Sequence, residues 1–158
     1  MRTILLAGYK KATPEDCPWL VSEDGLPILE GRIREARKFG QQCIVVLAGE
    51  VADEALRVCP SLDQCELIFD TNQEPTLLSN LKAALSVGTD PALVLPAELS
   101  FGDETAVFEL IGRAAQQGPR ANSEVIRQSF PLLITLRGCE AVLRNKTLTS
   151  LADLLPQP

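Results

Sequence analysis

The chain has 158 residues, of which 46% are hydrophobic and 23% charged, a composition typical of a globular protein with a single domain over residues 1–158. It contains no histidine, which excludes Ser-His-Asp triads, Cys-His dyads and His-ligated zinc sites. The net charge is -6 and only 4% of residues are aromatic. We therefore expect no nucleic-acid partner, because phosphate would repel the chain and stacking rings are scarce.

Five cysteines are present, at Cys17, Cys43, Cys59, Cys65 and Cys139. Their number is odd and no C-x-x-C pair occurs, which excludes zinc ribbons and thioredoxin-like motifs. We expect Cys43 and Cys139 to be small core residues, with a reactive thiol as the alternative. No run of about 20 apolar residues predicts a membrane span, and the first apolar run is too short for a signal peptide. The expectation is a cytoplasmic protein with reduced thiols and no membrane partner.

Short apolar runs alternate with amphipathic stretches in the first half of the chain. They predict strands at residues 3–6, 43–47 and 66–69, and helices at residues 26–39 and 52–58. Pro27 suits the first turn of the first helix. Residues 9–24 have no clear period and predict a long loop, a kind of segment that is often functional.

The alternation continues in the second half of the chain. It predicts a helix at residues 76–87 capped by Thr76, a strand at 92–95 and a helix at 103–116 capped by Asp103. Weaker patterns predict strands at 123–127 and 132–136 and helices at 138–144 and 148–155. Strands that alternate with helices indicate an α/β sandwich with a mainly parallel sheet.

Candidate chemistry lies where the first and fourth strands end, because ligands of open α/β sheets bind beyond the carboxyl ends of the strands. Gly8 would let the backbone approach a ligand closely, and Lys10 and Lys11 would supply positive charge for a phosphate. Glu98 could hold Mg²⁺. Together these residues suggest a nucleotide site; the simpler alternative is a turn glycine, two solvated lysines and a surface glutamate.

Two standard nucleotide motifs are absent from the sequence. Neither G-x-G-x-x-G after the first strand nor G-x-x-x-x-G-K-[ST] occurs. Rossmann dinucleotide enzymes and P-loop NTPases are therefore disfavoured.

Four segments in chain order carry a family resemblance. They read ILLAG at residues 4–8, GLPILE at 25–30, PTLLSNLKAAL at 75–85 and LVLPAELSF at 93–101. The last three resemble the "GGKPLLE", "GPLAGLLAAL" and "VLVLPCDMPFL" segments of the molybdenum-cofactor nucleotidyltransferases, the guanylyl- and cytidylyltransferases. The first is similar to the opening strand of these enzymes and of sugar-nucleotide pyrophosphorylases.

The resemblance implies a three-layer α/β/α sandwich with a mixed, mainly parallel sheet, like that of the nucleotide-diphospho-sugar transferases. It implies that a nucleotide, GTP or CTP, is bound by a set of residues around the first strand: Leu6, Ala7, Gly8, Lys10, Lys11 and Ser79. It also implies Mg²⁺ as a cofactor, held by Glu98 where the family has a metal-binding Asp.

Several positions depart from the family's pattern. Tyr9 stands where the family has a second glycine, and Pro18 aligns with the lysine of the phosphate loop. No arginine occurs between Arg2 and Arg32. In the family, basic side chains of this loop hold the triphosphate and offset the charge of the leaving pyrophosphate. Glu98 is one methylene longer than the family's Asp, whereas Mg²⁺ demands near-ideal octahedral geometry.

These departures favour a relative that keeps the fold but has weak or lost catalysis, and that binds a nucleotide or acts as a regulatory or assembly partner. The alternative is an active, Mg-dependent nucleotidyltransferase that transfers NMP from NTP to a phosphorylated acceptor and releases pyrophosphate. A third possibility is an unrelated α/β protein, which predicts a different strand order.

Trp19 lies within the long loop beside Leu20 and Val21. The first interpretation is that it anchors the loop to the core. The second is that Pro18-Trp19-Leu20 forms an exposed apolar patch that binds a protein partner or a second copy of the chain.

Overall fold

A computed structural model describes residues 1–9, 16–40, 42–88, 90–117 and 130–144. Within these ranges the strands are β1 (Arg2–Ala7), β2 (Ser22–Glu23), β3 (Leu26–Pro27), β4 (Gln42–Leu47), β5 (Glu66–Phe69), β6 (Ala92–Pro96) and β7 (Leu132–Ile134). The α-helices are α1 (Ile28–Ala36), α2 (Ala52–Val58), α3 (Leu77–Leu85), α4 (Glu104–Gln117) and α5 (Leu136–Arg144). The strand predicted at 123–127 and the helix predicted at 148–155 lie outside the described residues.

Five strands form the main sheet, in the order β5-β4-β1-β6-β7. β1 runs parallel to β4 and β6, and β4 runs parallel to β5, whereas β7 pairs antiparallel with β6. The predicted mixed, mainly parallel sheet is therefore confirmed. Every residue of the central strand β1 is buried, as expected for a parallel strand with helices on both faces.

Helices cover both faces of this sheet. On one face α1, α2 and α4 pack against a core that includes Leu5, while on the other face α3 and α5 pack against a core that includes Ile4. Neighbouring residues of β1 serve opposite cores because side chains alternate along a strand. The arrangement is the three-layer α/β/α sandwich that the family resemblance implies.

The segment predicted as a loop over residues 9–24 holds more structure than expected. Pro18–Leu20 forms a short 3₁₀ helix, and β2 and β3 pair as a hairpin. Asp24 and Gly25 turn between them with φ angles of 53° and 83°, the conformation that Asp-Gly favours in a two-residue hairpin turn. Pro27 therefore ends β3 instead of lying in the first turn of α1, which starts at Ile28.

Two predicted helix caps are confirmed. Thr76 Oγ1 accepts from the Ser79 backbone N–H at 3.0 Å, and Ser79 Oγ accepts from the Thr76 N–H at 2.7 Å, which completes a capping box on α3. Asp103 Oδ1 accepts from the Thr105 N–H at 3.3 Å ahead of α4. α5 begins at Leu136, earlier than the predicted Gly138, because β7 ends at Ile134.

The described helices also bear on the membrane prediction. None of them combines the length and apolar character that a membrane crossing requires. Cys43 and Cys139 are 5% and 0% exposed, which confirms that both pack in the core.

Candidate functional site

The candidate site lies at the edge of the sheet where the parallel strands end. β1 has β4 on one side and β6 on the other, and the reversal of strand order beside a central strand opens a crevice beyond the carboxyl ends. The Ala97 N–H donates to the Leu6 carbonyl at 2.9 Å, so the pairing of β1 with β6 continues to this edge. The segments that begin at Gly8 and Glu98 therefore leave the sheet side by side.

Gly8 directly follows β1 and lies against the end of the neighbouring strand β4. A Cβ on Gly8 would lie 2.8 Å from the carbonyl carbon of Leu47 and 3.0 Å from the backbone nitrogen of Ala48. The Gly8 N–H donates to Asn80 Oδ1 at 2.9 Å. The sequence argument explains Gly8 by close approach to a ligand, whereas the structure shows close approach to the end of β4.

A buried carboxylate that the sequence reasoning missed organises the β5 side of this edge. Asp70 directly follows β5 and is 8% exposed. Its Oδ2 accepts from Asn80 Nδ2 at 2.7 Å and from the Ser79 hydroxyl. Its Oδ1 accepts from the Asn72 backbone N–H at 3.0 Å and from Asn72 Nδ2 at 2.6 Å. Because Asn80 also binds Gly8, these contacts join the ends of β1 and β5 to the first turn of α3.

The hydrogen bonds determine the charge of Asp70. Burial alone would raise the pKa of Asp70. The hydrogen bonds from Ser79, Asn72 and Asn80 lower it by more than burial raises it, so the pKa lies below its usual value. Asp70 is thus a fixed negative charge at neutral pH. Since each of its oxygens already accepts two hydrogen bonds, it acts here by positioning Asn80 and, through it, Gly8.

On the β6 side of the same edge, Tyr9 meets Glu98. Tyr9 is partly buried, and Glu98 is exposed, directly after Ala97. Burial raises the pKa of Tyr9 well above its usual range, and the hydrogen bond to Glu98 and the negative charge of that carboxylate raise it further. The phenol therefore stays protonated at ordinary pH, with its hydroxyl close enough to the Glu98 carboxylate for the two groups to influence each other.

Trp19 supports Tyr9 through its ring. The two ring centroids lie 5.1 Å apart, with the planes inclined by 42°. Trp19 is 1% exposed, which confirms the interpretation that it anchors its segment to the core. The exposed apolar side chain of this segment is Val21, at 59%.

The residues at this edge fit a divalent cation poorly. Mg²⁺ is usually held by one or two carboxylates together with phosphate oxygens, in near-octahedral geometry. The predicted ligand Glu98 is an exposed carboxylate beside the protonated Tyr9 side chain, and the oxygens of Asp70 accept from nitrogen and hydroxyl donors. Within the described ranges, no group of three or more His, Cys, Asp or Glu side chains could hold a metal ion.

The residues that the sequence predicts to bind a nucleotide differ in their surroundings. Leu6 and Ala7 are 0% exposed within β1, and Gly8 and Ser79 are linked through Asn80 and Asp70. Lys10 and Lys11 lie outside the described residues. The assignment of these residues to a nucleotide stays a prediction.

A separate groove of about 520 Å³ lies at the opposite edge of the sheet. Residues at the starts of the parallel strands line it, among them Arg2, Gln42 and Pro91. None of the predicted site residues that the structure describes lines this groove. Ligands of open α/β sheets bind at the opposite edge, beyond the carboxyl ends of the strands.

Comparison with solved structures finds a similar fold in several proteins, one of which is a nucleotidyl transferase. A homologue of rv0371c from Mycobacterium sp. strain JC1 has a TM-score of 0.71 and 19% identity, over 91% of this chain and 74% of that one. A nucleotidyl transferase from Methanothermobacter thermautotrophicus has a TM-score of 0.68 and 16% identity, over 98% and 80%. Molybdopterin-guanine dinucleotide biosynthesis protein A from Archaeoglobus fulgidus has a TM-score of 0.63 and 17% identity, over 91% and 72%.

These likenesses confirm the family resemblance at the level of the fold. They contradict the expectation of a different fold that the third possibility carried. Rv0371C from Mycobacterium tuberculosis, with a TM-score of 0.66 and 15% identity over 91% of this chain and 75% of that one, was solved in complex with manganese. No protein-family model and no curated protein sequence matches the chain.

Proposed function

We propose that this chain is a nucleotidyltransferase-like protein with weak or lost catalysis, which binds a nucleotide such as GTP or CTP or acts as a regulatory partner. The observation that carries the proposal is the contact between Tyr9 and Glu98 at the carboxyl edge of β1 and β6. Tyr9 stands where the resembled family has a glycine, and Glu98 stands where that family has its metal-binding Asp. The two residues that depart from the family's pattern, Tyr9 and Glu98, therefore lie next to each other.

Steric bulk supports the proposal. A glycine after the first strand lets the backbone approach a phosphate, because it has no side chain. Tyr9 instead brings a partly buried ring that packs on Trp19. A triphosphate that approached this part of the backbone would have to displace the ring.

Charge also supports the proposal. Asp70 remains ionised near the ends of β1 and β5, and an anionic nucleotide gains no attraction from it. No arginine lies between Arg2 and Arg32 to offset the charge of a leaving pyrophosphate. Lys10 and Lys11 are the remaining cations of this segment, and lysine lacks the bidentate fork of arginine.

The alternative is an active, Mg-dependent nucleotidyltransferase, and the Asp70–Asn80–Gly8 contacts favour it. They hold the ends of β1 and β5 as a preorganised edge. In this alternative Glu98 would hold the metal, which would neutralise phosphate charge, and Lys10 and Lys11 would hold the phosphates. The likeness to a molybdopterin-guanine dinucleotide biosynthesis protein suggests a phosphorylated, molybdopterin-like acceptor.

Location and partners belong to the same proposal. A cytoplasmic location is supported by the cysteines, all of which are free. A protein partner or a second copy of the chain would have to contact the exposed Val21 of the Trp19 segment, because Trp19 itself is buried.

Calorimetry with GTP, CTP and ATP in the presence of Mg²⁺ tests the proposal. The variants are Glu98→Ala and, as a matched control, Glu109→Ala, which removes another exposed glutamate from α4. We expect weak binding that neither variant changes and no pyrophosphate release. Micromolar binding that only Glu98→Ala abolishes, together with pyrophosphate release, would establish the active enzyme instead. Absence of heat with every nucleotide would contradict nucleotide binding and leave the regulatory role.

A further inference from the structure

Two of the five cysteines face each other across neighbouring strands, outside the candidate site. β4 and β5 pair in parallel with Ile44 opposite Glu66. Cys65 directly precedes β5 with an extended backbone at φ -109° and ψ 154°, so continuing the register by one residue brings it opposite Cys43 of β4. Neighbouring strands lie about 4.8 Å apart, and disulfides join Cα atoms roughly 4.4–6.8 Å apart. The backbones therefore already meet the distance that a disulfide requires.

The two side chains also point to the same face of the sheet. Cys43 belongs to the core beneath α1 and α2, and Cys65 packs against that same core. Cys65 Sγ donates to the Ser61 carbonyl at 3.5 Å, and the two thiols are close enough for each to shift the pKa of the other. Both thiols therefore lie on the same side of β4 and β5.

The two thiols differ in access and in acidity. Cys43 is 5% exposed, whereas Cys65 is half-buried. The pKa of Cys65 is lowered mainly by the neighbouring Cys43 thiol and also by the charge of Arg37. Burial and the charge of Glu30 raise the pKa of Cys65 by less, so the net shift is downward. The neighbouring Cys65 thiol and burial raise the pKa of Cys43. Cys65 is thus the accessible nucleophile, and Cys43 is the thiol that can resolve an adduct on it.

We propose that Cys43 and Cys65 form an intramolecular disulfide when the protein meets a low-molecular-weight disulfide such as glutathione disulfide. The Cys65 thiolate attacks one sulfur of the oxidant, whose S–S bond breaks and releases the first glutathione thiolate. Cys43 then loses its proton and attacks Cys65 Sγ, and the second glutathione thiolate leaves. Two protein thiols are oxidised, one glutathione disulfide is reduced to two thiols, and the protein protons end on the released glutathione.

The remaining cysteines supply an internal contrast. Cys17 and Cys59 also lie near each other, but they are 3% and 1% exposed. Burial, with a smaller effect from the charges of Glu30 and Cys17, raises the pKa of Cys59 to about 12. Cys139 lies in the core on the other face of the sheet. Selective reaction therefore belongs to the Cys43–Cys65 pair.

Mass spectrometry of the native full chain after incubation with glutathione disulfide tests the proposal. Remaining thiols are alkylated before digestion. Trypsin alone leaves Cys59 and Cys65 on one peptide, because no Lys or Arg lies between Arg57 and Lys82. A second protease that cleaves before Asp63 separates them. The variant is Cys65→Ser, and the control is Cys17→Ser.

We expect the wild type to lose two of its five thiols, to link the Cys43 and Cys65 peptides, and to recover fully in dithiothreitol. Oxidation should raise Tm by about 5 °C, because the bond closes a loop of the unfolded chain. Cys17→Ser should still form the link and Cys65→Ser should not. A stable glutathione adduct on Cys65 with Cys43 still free, a link to Cys59 or no reaction would each overturn the proposal. The disulfide-linked peptides of the wild-type protein test the proposal even if a variant fails to fold.

Discussion

The two sides of the carboxyl edge of the sheet are held by different kinds of contact. On the β5 side, Asp70 and Asn80 form a chain of hydrogen bonds that ends on the backbone of Gly8. On the β6 side, Tyr9 is held by ring packing on Trp19 and meets Glu98 at the surface. One side is thus a closed polar network, and the other is an aromatic pair beside an exposed carboxylate.

The comparison indicates that the β5 side of this edge has a structural role in the fold. The polar network fixes where β1 and β5 end, and a buried network of this kind is stabilising only when every member is satisfied. The β6 side holds Tyr9 and Glu98, the two residues that stand where the resembled family has a glycine and an aspartate. The fold is thus retained beside the positions where the sequence departs from the resembled family's pattern.

Trp19→Ala should have the largest effect, because it removes a fully buried aromatic side chain from the β6 side. We expect a loss of about 4 kcal/mol in the free energy of unfolding, measured by urea denaturation. Val21→Ala, in the same segment but 59% exposed, should change it by less than about 0.5 kcal/mol. A small effect of Trp19→Ala would mean that ring packing does not hold this side.

Asn80→Ala breaks the β5 side at its central member. It leaves the Gly8 N–H and one Asp70 oxygen without their buried partner, and we expect a loss of about 3 kcal/mol. Asn72→Ala, which removes an exposed partner of the same carboxylate, should lose only about 1 kcal/mol. Equal losses would show that Asn80 has no linking role.

Gly8→Ala tests the close approach of β1 to β4. The added Cβ would meet the Leu47 carbonyl carbon at 2.8 Å, and overpacking against backbone should lower the free energy of unfolding by about 2 kcal/mol. Gly112→Ala in α4 meets nothing within 4 Å and should raise it by about 0.5–1 kcal/mol. A stabilised Gly8→Ala protein would contradict the contact.

Asp70 should make the stability of the β5 side depend on acid pH. Its folded-state pKa lies below the usual 3.8, so its contribution is fully present above the unfolded pKa and is lost as pH falls through the folded pKa. Urea denaturation from pH 6 to pH 3 should show a steeper fall for the wild type than for Asp70→Asn. Parallel curves would show that Asp70 carries no such shift.

Much of the scaffold could be predicted from the sequence, because apolar periodicity reports burial directly. The pattern placed α2 and β5 at their observed bounds and identified Thr76 as the cap of α3. The hairpin of β2 and β3 was missed, although Asp24-Gly25 is a strong turn signal, because the strands beside it are too short to show alternation.

The site was harder to predict, because its contacts join residues that are distant along the chain. Asp70 directly follows a predicted strand, which is a usable signal, but its partner Asn80 lies on the next helix and carries no periodic signature. The contact of Tyr9 with Glu98 depends on which strands are neighbours, which the pattern of elements does not give. The strand order supplies this missing information.

The central claim is that Tyr9 withholds Glu98 from a metal, and Mn²⁺ binding in the presence of GTP tests it most directly. Electron paramagnetic resonance of free Mn²⁺ would compare the wild type with Tyr9→Phe, which keeps the ring beside Trp19 and removes the hydroxyl. Tyr9→Phe removes the hydroxyl that lies beside the Glu98 carboxylate, and this variant should bind Mn²⁺ about tenfold more tightly, a gain of about 1.4 kcal/mol. Adding Glu98→Gln to this variant should reverse the gain. Tight wild-type binding that requires Glu98 and does not change in Tyr9→Phe would contradict the account.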